Sequence, residues 1–182
     1  MLDKAGIRID LADGAFVRVL NINDMTDDYV AALNDPSILE NMVAGTGRDE
    51  THETIRSYIQ ENAESPDSLL FGLFTQNGTL LGTSRLHGIA EKFTWIGVLL
   101  FRPESRGKGW GTQLVRAVSN YALINLHKDC VRAGIYQRNE SSRKCFQRAG
   151  FSHENNDEAY VGPIREIWVK VREMTDEDNS CI

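Results

Sequence analysis

One stretch of this chain, residues 95 to 126, strongly limits the folds that the chain can adopt. The run from Trp95 to Arg102 is apolar at nearly every position, which predicts a central strand buried on both faces. A glycine-rich turn with the sequence Arg-Gly-Lys-Gly-Trp-Gly follows at residues 106–111. Apolar residues then recur at the spacing of one helix face: Leu114, Val115, Val118, Tyr121, Ala122 and Leu126. A buried strand that leads through a tight turn into an amphipathic helix predicts an α/β protein.

The remaining elements predict how the sheet is built. Asn77-Gly78 lies between two apolar runs, which is a strong signal for a β-hairpin. Strands are predicted at 16–22, 69–75, 79–87, 131–136, 151–153 and 164–171, and helices at 24–33, 49–63 and 141–149. Asn34-Asp35-Pro36 is expected to end the first helix. Hairpin strands followed by a strand–helix–strand unit predict a mixed, mostly antiparallel central sheet with helices on both faces.

Length and hydropathy indicate the organisation and location of the chain. Its 182 residues predict one domain, 1–173, followed by an acidic, flexible tail, 174–182. No apolar run reaches the roughly 18 residues that a membrane span requires. The first 30 residues include Asp3, Asp10 and Asp13 and lack the apolar core of a signal peptide. We therefore expect a cytoplasmic protein without a membrane partner, either a monomer or a homodimer.

The cysteines and histidines disfavour two kinds of stabilising chemistry. Cys130, Cys145 and Cys181 are odd in number and none is separated from another by the C-x-x-C spacing. The four histidines are scattered along the chain. A disulfide framework and a metal site are both disfavoured, so we expect reduced thiols and no metal.

Charge is distributed unevenly along the chain. Residues 20–67 hold eleven acids and two bases, a net charge of −9, whereas residues 98–150 hold ten bases and three acids, a net charge of +7. A basic segment can hold a polyanion, and an acidic flank favours the approach of a cation. Such runs are also typical of ordinary solvated helix faces. The overall net charge of −6 and the lack of aromatic residues interleaved with basic ones argue against a nucleic-acid partner.

The glycine-rich turn has the chemistry of a phosphate site. Glycines permit positive φ and close approach of a ligand, and the following helix directs its N-terminal N–H groups at the same place. Arg106 and Lys108 add full positive charges. The spacing does not match the P-loop, which requires Gly-Lys-[Ser/Thr], or the dinucleotide fingerprint, because residue 112 is threonine rather than glycine. The pattern that remains is [Arg/Gln]-x-x-Gly-x-[Gly/Ala], with Arg106, Gly109 and Gly111.

This pattern resembles motif A of the GNAT N-acetyltransferases, which hold the pyrophosphate of acetyl-CoA there. The segment from Asn139 through Ser142 and Phe146 to Gly150-Phe151 resembles motif B of the same family. The opening, Arg18-Val-Leu with Leu33-Asn-Asp-Pro, is similar to the subgroup that contains the ribosomal-protein, polyamine and antibiotic N-acetyltransferases. The resemblance covers about residues 17–171 and implies the GNAT fold.

The resemblance also implies which residues bind acetyl-CoA. The backbone of Leu99 and Phe101 on the central strand is expected to hold the thioester. Asn139 is expected to contact the pantetheine arm or an ordered water. The glycine-rich turn and the start of the helix are expected to bind the pyrophosphate: Arg106, Gly107, Lys108, Gly109, Trp110, Gly111 and Thr112.

Protonation of the departing thiolate is less clearly assigned. Many family members use a tyrosine at the position of Phe146, which cannot donate a proton. Members of the ribosomal-protein subgroup have serine at the position of Ser142, which makes its hydroxyl a candidate donor. The alternative is that this hydroxyl caps the helix. A thiol has a pKa near 8.5, so the thiolate can also leave without full protonation.

The general base has several candidates. Some relatives carry a glutamate on or before the central strand, but residues 93–102 contain no acid. Glu91 precedes that strand and is the first candidate, although it could simply pair with Lys92. His87 and Glu166 are alternatives, as is a chain of waters that leads to a distant acid. Cys145 has no histidine close in sequence and is interpreted as a core residue rather than a nucleophile.

The sequence thus predicts an acetyl-CoA-dependent N-acetyltransferase in which a primary amine attacks the thioester directly. The acidic segment at 20–67 favours a cationic acceptor. An α-amino group is preferred to a lysine-type amine because its proton is more easily removed. The alternatives are a small-molecule acetyltransferase for a polyamine, aminoglycoside or amino sugar, and a non-catalytic CoA-binding module.

Overall fold

Eight strands form one sheet in the computed structural model, which describes residues 3–41, 49–101, 105–154 and 165–172. The strands are β1 (Arg8–Asp10), β2 (Phe16–Val19), β3 (Ser68–Phe74), β4 (Leu80–His87), β5 (Phe93–Leu100), β6 (Cys130–Tyr136), β7 (Ser152–His153) and β8 (Arg165–Val171). The α-helices of the described residues are α1 (Asp27–Leu33), α2 (Pro36–Leu39), α3 (His52–Glu64), α4 (Trp110–Ile124) and α5 (Glu140–Arg148). The predicted tail at 174–182 lies outside the described residues.

The strand order is β1-β2-β3-β4-β5-β6-β8-β7. Every neighbouring pair is antiparallel except β5 and β6, which are parallel because α4 carries the chain back between them. The Asn77-Gly78 turn joins β3 to β4, as predicted, with Gly78 at a φ of 81°. The predicted fold class, a mixed and mostly antiparallel sheet, is confirmed.

The parallel pair β5 and β6 is joined over only part of its length. Pairing covers residues 93–95 of β5 and residues 130–132 of β6. On its other side β5 pairs with β4 as far as Leu100, and β6 pairs with β8 as far as Tyr136. Both strands therefore continue past their shared ladder with one edge each unpaired. The sheet has an opening between the C-terminal halves of these two strands.

Helices cover both faces of the sheet, and each face has its own core. On the face that we call the α4 face, Leu114, Val118 and Phe146 pack against sheet residues such as Leu73 and Ile96. On the opposite face, the α3 face, α1, α2 and α3 pack against Leu70 and Phe101 on the other side of the sheet. The helix residues in this contact are Tyr29, Ile38, Ile55 and Ile59. Helices on both faces were predicted, and the opening between β5 and β6 is therefore accessible from two chemically different sides.

Two elements were not predicted. The short edge strand β1 has only three residues, too few for an alternating pattern to be recognised. Asn34-Asp35-Pro36 does follow the end of α1 at Leu33, but it also starts α2. Asp35 accepts a hydrogen bond from the backbone N–H of Ser37 (2.8 Å), and Pro36 occupies the first helical position, where its missing N–H costs nothing.

Candidate active site

The N-terminus of α4 has no side-chain cap. Gly109 is the N-cap residue, and the first intrahelical bond runs from the Gln113 N–H to the Gly109 carbonyl (3.0 Å). The N–H groups of residues 110–112 therefore have no partner within the helix. By contrast, α1, α3 and α5 are each capped by a side chain: Thr26, Thr51 and Asn139. The start of α4 is the one that leaves its donors and the positive end of its dipole available to an anion.

Two glycines before α4 adopt conformations that other residues rarely adopt. Gly107 has a φ of 74° and Gly109 a φ of 83°. A Cβ atom at either position would meet no atom of the described residues within 4 Å, so steric contact with them is not the reason for glycine. The left-handed backbone conformation is the reason, together with space for a ligand on the outer side. Arg106 and Lys108 are exposed beside this space. The geometry fits the pyrophosphate cradle predicted from the sequence.

The Cα of Gly111 and the side chain of Thr112 face α5 rather than the outer side of the turn. A Cβ atom on Gly111 would lie 3.3 Å from the Cys145 sulfur, so glycine permits close contact between α4 and α5. The Thr112 hydroxyl donates a hydrogen bond to the same sulfur (3.8 Å). Burial raises the pKa of the Cys145 thiol, although the bond from Thr112 opposes that shift. Cys145 is therefore a packed, protonated thiol. Gly111 and Thr112 can contribute only backbone donors to the cradle.

The backbone of β5 presents alternate residues to its two neighbours. The Phe101 N–H donates to the Leu81 carbonyl (3.0 Å), and Leu99 is the register partner of Thr83 on β4. Residues 96, 98 and 100 therefore direct their backbone groups to the opposite edge, where pairing with β6 has ended. The prediction named Leu99 and Phe101 as thioester contacts, yet the Phe101 N–H is already engaged. The unpaired edge of β5 is formed by the backbone groups of residues 96, 98 and 100.

The Leu99 and Phe101 side chains lie on the α3 face. Phe101 is buried and stacks on Tyr29 with their ring centroids 4.5 Å apart. Leu99 is half-buried against the same cluster. Burial raises the pKa of the Tyr29 hydroxyl, which keeps it neutral. These side chains support the strand next to the opening.

Asn139, not Ser142, caps α5. The Asn139 side-chain oxygen accepts hydrogen bonds from the Ser142 N–H (3.1 Å) and from the Ser141 hydroxyl (2.9 Å). The Ser142 hydroxyl forms no hydrogen bond with any described residue, and the residue is half-buried. The alternative interpretation of Ser142 as the capping hydroxyl is therefore wrong. Its hydroxyl remains available, whereas the Asn139 side-chain oxygen is committed to the helix.

Ser142 lies at the open end of the buried stripe of α5. Ser142, Cys145, Phe146 and Ala149 follow the spacing of one helix face, which packs on the α4 face. Phe146 is buried, with its ring edge-to-face with Phe151 at 5.0 Å between centroids. Phenylalanine fits this apolar environment because, unlike tyrosine, it has no hydroxyl group that needs a hydrogen-bond partner. Ser142 is the hydroxyl-bearing residue of this face.

Two glycines lie opposite each other where β5 and β6 stop pairing. The parallel register pairs Trp95 with Arg132, and two residues further along each strand are Gly97 and Gly134. Both lie on the α3 face, because the intervening side chains of Ile96 and Ala133 pack in the core of the α4 face. A Cβ atom at either glycine would meet no atom of the described residues within 4 Å. We call this pair the glycine window, since it leaves the opening accessible from the α3 face.

The candidate bases occupy three different places. Glu91 is exposed in the β4–β5 turn, where its carbonyl accepts a hydrogen bond from the Lys128 ammonium (2.7 Å). The four residue steps from Phe93 to Gly97 span about 13 Å of strand, and Glu91 lies beyond Phe93. The structure therefore does not bring Glu91 to the glycine window.

Glu166 lies on the α4 face, away from the window side. It is the register partner of Ile135, and one carboxylate oxygen accepts a hydrogen bond from the Trp168 indole N–H (3.1 Å). Its other oxygen lies 3.7 Å from the Arg143 guanidinium on α5. These contacts fix the Glu166 carboxylate next to α5, where it helps to position that helix.

His87 is the candidate base that shares a face with the glycine window. It is the register partner of Trp95, and Gly97 is its diagonal neighbour, a relationship that separates residues by about 7–8 Å. Desolvation by burial lowers the pKa of the imidazole, the nearby Arg85 guanidinium lowers it further, and Asp67 opposes both. A neutral imidazole at pH 7 can accept a proton.

The described acids of residues 20–67 mostly face solvent. On α1 the Asp27 side chain is 96% exposed, and on α3 Glu53, Glu61 and Glu64 are all exposed. Asp24 is instead paired with Arg18 at 2.6 Å. The acidic character of this segment is therefore a property of the outer helix surfaces rather than of the window.

The described residues hold no helix that combines the length and the apolarity of a membrane span. They also hold no group of three or more histidine, cysteine, aspartate or glutamate residues that could ligate a metal ion.

Comparison with solved structures relates this fold to acetyltransferases. A ribosomal-protein-S5-alanine acetyltransferase from Vibrio fischeri has a TM-score of 0.75 and 17% identity, over 92% of this chain and 97% of that one. A spermidine N-acetyltransferase from Vibrio cholerae, in complex with CoA and spermine, has a TM-score of 0.73 and 14% identity, over 87% of this chain and 96% of that one. At these identities the likeness shows a shared fold.

Sequence comparison identifies the family. YjcK of Bacillus subtilis strain 168, a probable N-acetyltransferase, is 35% identical over 99 residues, which are 52% of this chain and 54% of that protein. The match therefore spans about half the length of this curated relative. The model of the acetyltransferase (GNAT) domain matches residues 16–152, a range that contains the uncapped α4 N-terminus, the glycine window and most of the sheet. The chain belongs to the GNAT family of acetyltransferases.

Proposed function

We propose that this protein transfers the acetyl group of acetyl-CoA to a primary amine, by direct attack of the amine on the thioester. The observation that carries the proposal is the uncapped N-terminus of α4, preceded by two positive-φ glycines and placed directly after a strand whose edge is unpaired. The turn supplies donors for a pyrophosphate, and the edge of β5 supplies donors and acceptors for an extended pantetheine arm. Family membership supports the same assignment.

The two faces of the sheet suggest a division of tasks. An acceptor amine would enter from the α3 face through the glycine window, with His87 on that face to receive its proton. The thiolate would depart on the side of α5, where the Ser142 hydroxyl is not used in capping. Amine attack and thiolate departure would then occur on opposite sides of one sheet, so the two proton transfers need not compete for one residue.

We further propose that the acceptor is an α-amino group of a peptide or protein. Removing the proton from an α-ammonium with a pKa of about 8 costs roughly 1.4 kcal/mol at pH 7, whereas a lysine-type ammonium with a pKa near 10.4 costs roughly 4.6 kcal/mol. A site whose base is a histidine is better matched to the smaller of these costs. The Vibrio fischeri relative by fold is named for a protein alanine, and the Vibrio cholerae one for spermidine, so the fold accommodates both acceptor classes.

Thiol release distinguishes an enzyme from a CoA-binding module. The protein is incubated with acetyl-CoA and matched peptides, one with only a free N-terminus and one with only a free lysine, and with spermidine. We expect free CoA to appear fastest with the N-terminal peptide. Tight CoA binding without thiol release from any amine would support the non-catalytic module instead. A higher kcat/KM for spermidine or the lysine peptide would contradict the α-amino assignment but not acetyl transfer.

Replacing Ser142 with alanine is expected to lower kcat by about 10²-fold, the lower end of the usual range for general acid catalysis. The lower end applies because a thiolate is a good leaving group even when it is not protonated. The KM for acetyl-CoA should change little. Ser141→Ala is the matched control, because its hydroxyl donates to the Asn139 side-chain oxygen and belongs to the cap. Equal kcat values for wild type and Ser142→Ala would show that the thiolate leaves unaided.

Replacing His87 with glutamine is expected to lower kcat by at least about 10²-fold, because glutamine cannot accept the proton. The lowered pKa of His87 keeps the imidazole neutral at pH 7, so wild-type kcat should fall only in acid, as the pH drops through that lowered pKa. The variant should lose this acidic limb. His52→Gln is the control, since His52 bonds Asp27 at the surface (2.8 Å). An unchanged pH profile in His87→Gln would exclude His87 as the base.

A further inference from the structure

We propose that the acceptor amine carries a carboxylate, and that Arg85 on β4 binds this carboxylate beside the glycine window. The inference rests on the proposed acetyl transfer and specifies the class of its acceptor. It assigns to Arg85 a role in substrate specificity, and it reverses the expectation, drawn from the acidic segment, that the site selects a strongly cationic acceptor.

Arg85 lies directly beside the window. It is the register partner of Gly97, so both residues lie on the α3 face of neighbouring strands. Across from Arg85 there is no side chain, and the space where one would begin is open. A ligand that passes through the window is therefore adjacent to the base of the Arg85 side chain.

The guanidinium of Arg85 is held in position by uncharged groups. Its Nε–H donates to the Ser68 hydroxyl (3.0 Å), and its carbon lies 5.7 Å from the centroid of the Tyr58 ring. Burial raises the pKa of the Tyr58 hydroxyl, and the nearby charge of Arg85 opposes that shift. Ser68 is buried and is fixed in turn by Asn62 and the Leu86 carbonyl. Arg85 is thus oriented without being neutralised.

No carboxylate of the described residues forms an ion pair with Arg85. A second arginine, Arg132, lies on the other side of the opening on the same face, two residues before Gly134. Arg132 is paired with Glu154 (3.2 Å), so its charge is balanced within the protein and that carboxylate is not shared with Arg85. The exposed acids of α1 and α3 face solvent, as described above. Asp67 is close enough to raise the pKa of His87 on the same face, but it forms no ion pair with Arg85. Among the described residues, Arg85 is therefore a cation without an ion-pair partner beside the window.

A guanidinium with free N–H donors binds carboxylates in a paired geometry and repels a second ammonium. Polyamines carry additional ammonium groups and are poorly suited to this position. An amine that carries a carboxylate satisfies both sides of the site, with the nitrogen in the window and the carboxylate at Arg85. This carboxylate can come from an acidic side chain near the N-terminus of a peptide or from the α-carboxylate of a free amino acid.

The test measures kcat/KM for matched acceptor pairs. One pair of peptides carries Glu or Gln directly after the N-terminal residue, with the C-terminus amidated in both, and a second pair is a free amino acid and its amide. We expect the carboxylate member of one pair to be favoured by about 10- to 100-fold, which is the contribution of one charge-assisted interaction. The pair that shows the preference identifies the source of the carboxylate.

Variants of Arg85 then attribute the preference to this side chain. Arg85→Gln should abolish the preference, measured as the ratio of the two kcat/KM values within each pair, and Arg85→Glu should invert it towards a lysine at the same peptide position. Arg56→Gln is the control, because Arg56 is exposed on α3 and should leave the preference unchanged. Turnover of the acceptors with no carboxylate preference, or a preference that survives Arg85→Gln, would overturn this inference. No turnover of any acceptor would instead refute the proposed acetyl transfer.

Discussion

Replacing Gly109 with valine is expected to weaken acetyl-CoA binding by at least about 100-fold. Gly109 has a φ of 83° at the N-cap of α4, a conformation that a β-branched residue cannot adopt without strain. The valine side chain would also fill the space that the phosphates approach. Two or three charge-assisted hydrogen bonds from the turn would be lost together, and each contributes about 1.5–3 kcal/mol. Isothermal titration calorimetry with acetyl-CoA measures the effect directly.

The matched control for this variant is Gly88→Val. Gly88 also has positive φ, 72°, but it lies in the β4–β5 turn at the other end of β5. Both substitutions should lower the thermal unfolding temperature through backbone strain, whereas only Gly109→Val should lose the ligand. Arg106→Ala removes one charge and should weaken binding less, by about 1.5–3 kcal/mol. A folded Gly109→Val protein that binds acetyl-CoA with wild-type affinity would refute the assignment of the turn as the pyrophosphate site.

Replacing Gly97 with leucine is expected to lower kcat/KM for the amine by at least about 10²-fold while acetyl-CoA affinity stays within a few-fold of wild type. The leucine side chain would project from the α3 face into the glycine window and displace the amine, and misplacement of about 1 Å can cost 10²-fold in rate. Its Cβ would not clash with the described residues, because none of their atoms lies within 4 Å of that position. Leucine also suits a strand better than glycine does, so the fold should not be weakened.

Gly97→Ala is the control for this variant, since a single methyl group narrows the window without closing it. We expect an intermediate rate for the alanine variant. If Gly97→Leu lost acetyl-CoA binding as well, the two ligands would share this space and the division between the two faces would be incorrect. Wild-type kcat/KM in Gly97→Leu would show that the amine enters elsewhere.

The geometry of the glycine-rich turn, which we propose as the phosphate cradle, was predictable from the sequence because all of its parts are contiguous. The strand, the positive-φ glycines and the helix start lie within residues 93–124, and each has a local signature. Motif B was likewise readable, although the sequence does not show which of two neighbouring polar residues caps α5. Asn139 and Ser142 are both plausible caps, and only the hydrogen bonds distinguish them.

The glycine window was not predictable, since it depends on register. Gly97 and Gly134 are 37 residues apart, and an isolated glycine in a strand carries no signal of what lies opposite. The position of the candidate general base depends on register in the same way. Glu91 precedes the central strand in sequence, but in the fold the strand carries the chain away from it, while His87 on the neighbouring strand is brought to the window.

Net charge was also a poor guide to the site. The sum over residues 20–67 treats all eleven acids alike, yet most of the described ones lie on the outer surfaces of α1 and α3. Arg85 lies outside that segment, beside the window, and forms no ion pair with a described carboxylate. A charge sum over a segment indicates a partner only if the side chains share one direction, and helices distribute them around an axis.

A bisubstrate ligand tests most directly the claim that cofactor and acceptor meet at the opening between β5 and β6. The ligand is CoA whose sulfur is joined through an acetyl bridge to the N-terminus of a peptide, and the measurement is its Kd relative to that of CoA alone. We predict that the conjugate binds wild type at least about tenfold more tightly than CoA does, since the second ligand is bound without a separate loss of freedom. In Gly97→Leu the Kd of CoA should be unchanged and this gain should vanish. A gain of the same size in Gly97→Leu, or none in wild type, would contradict the account.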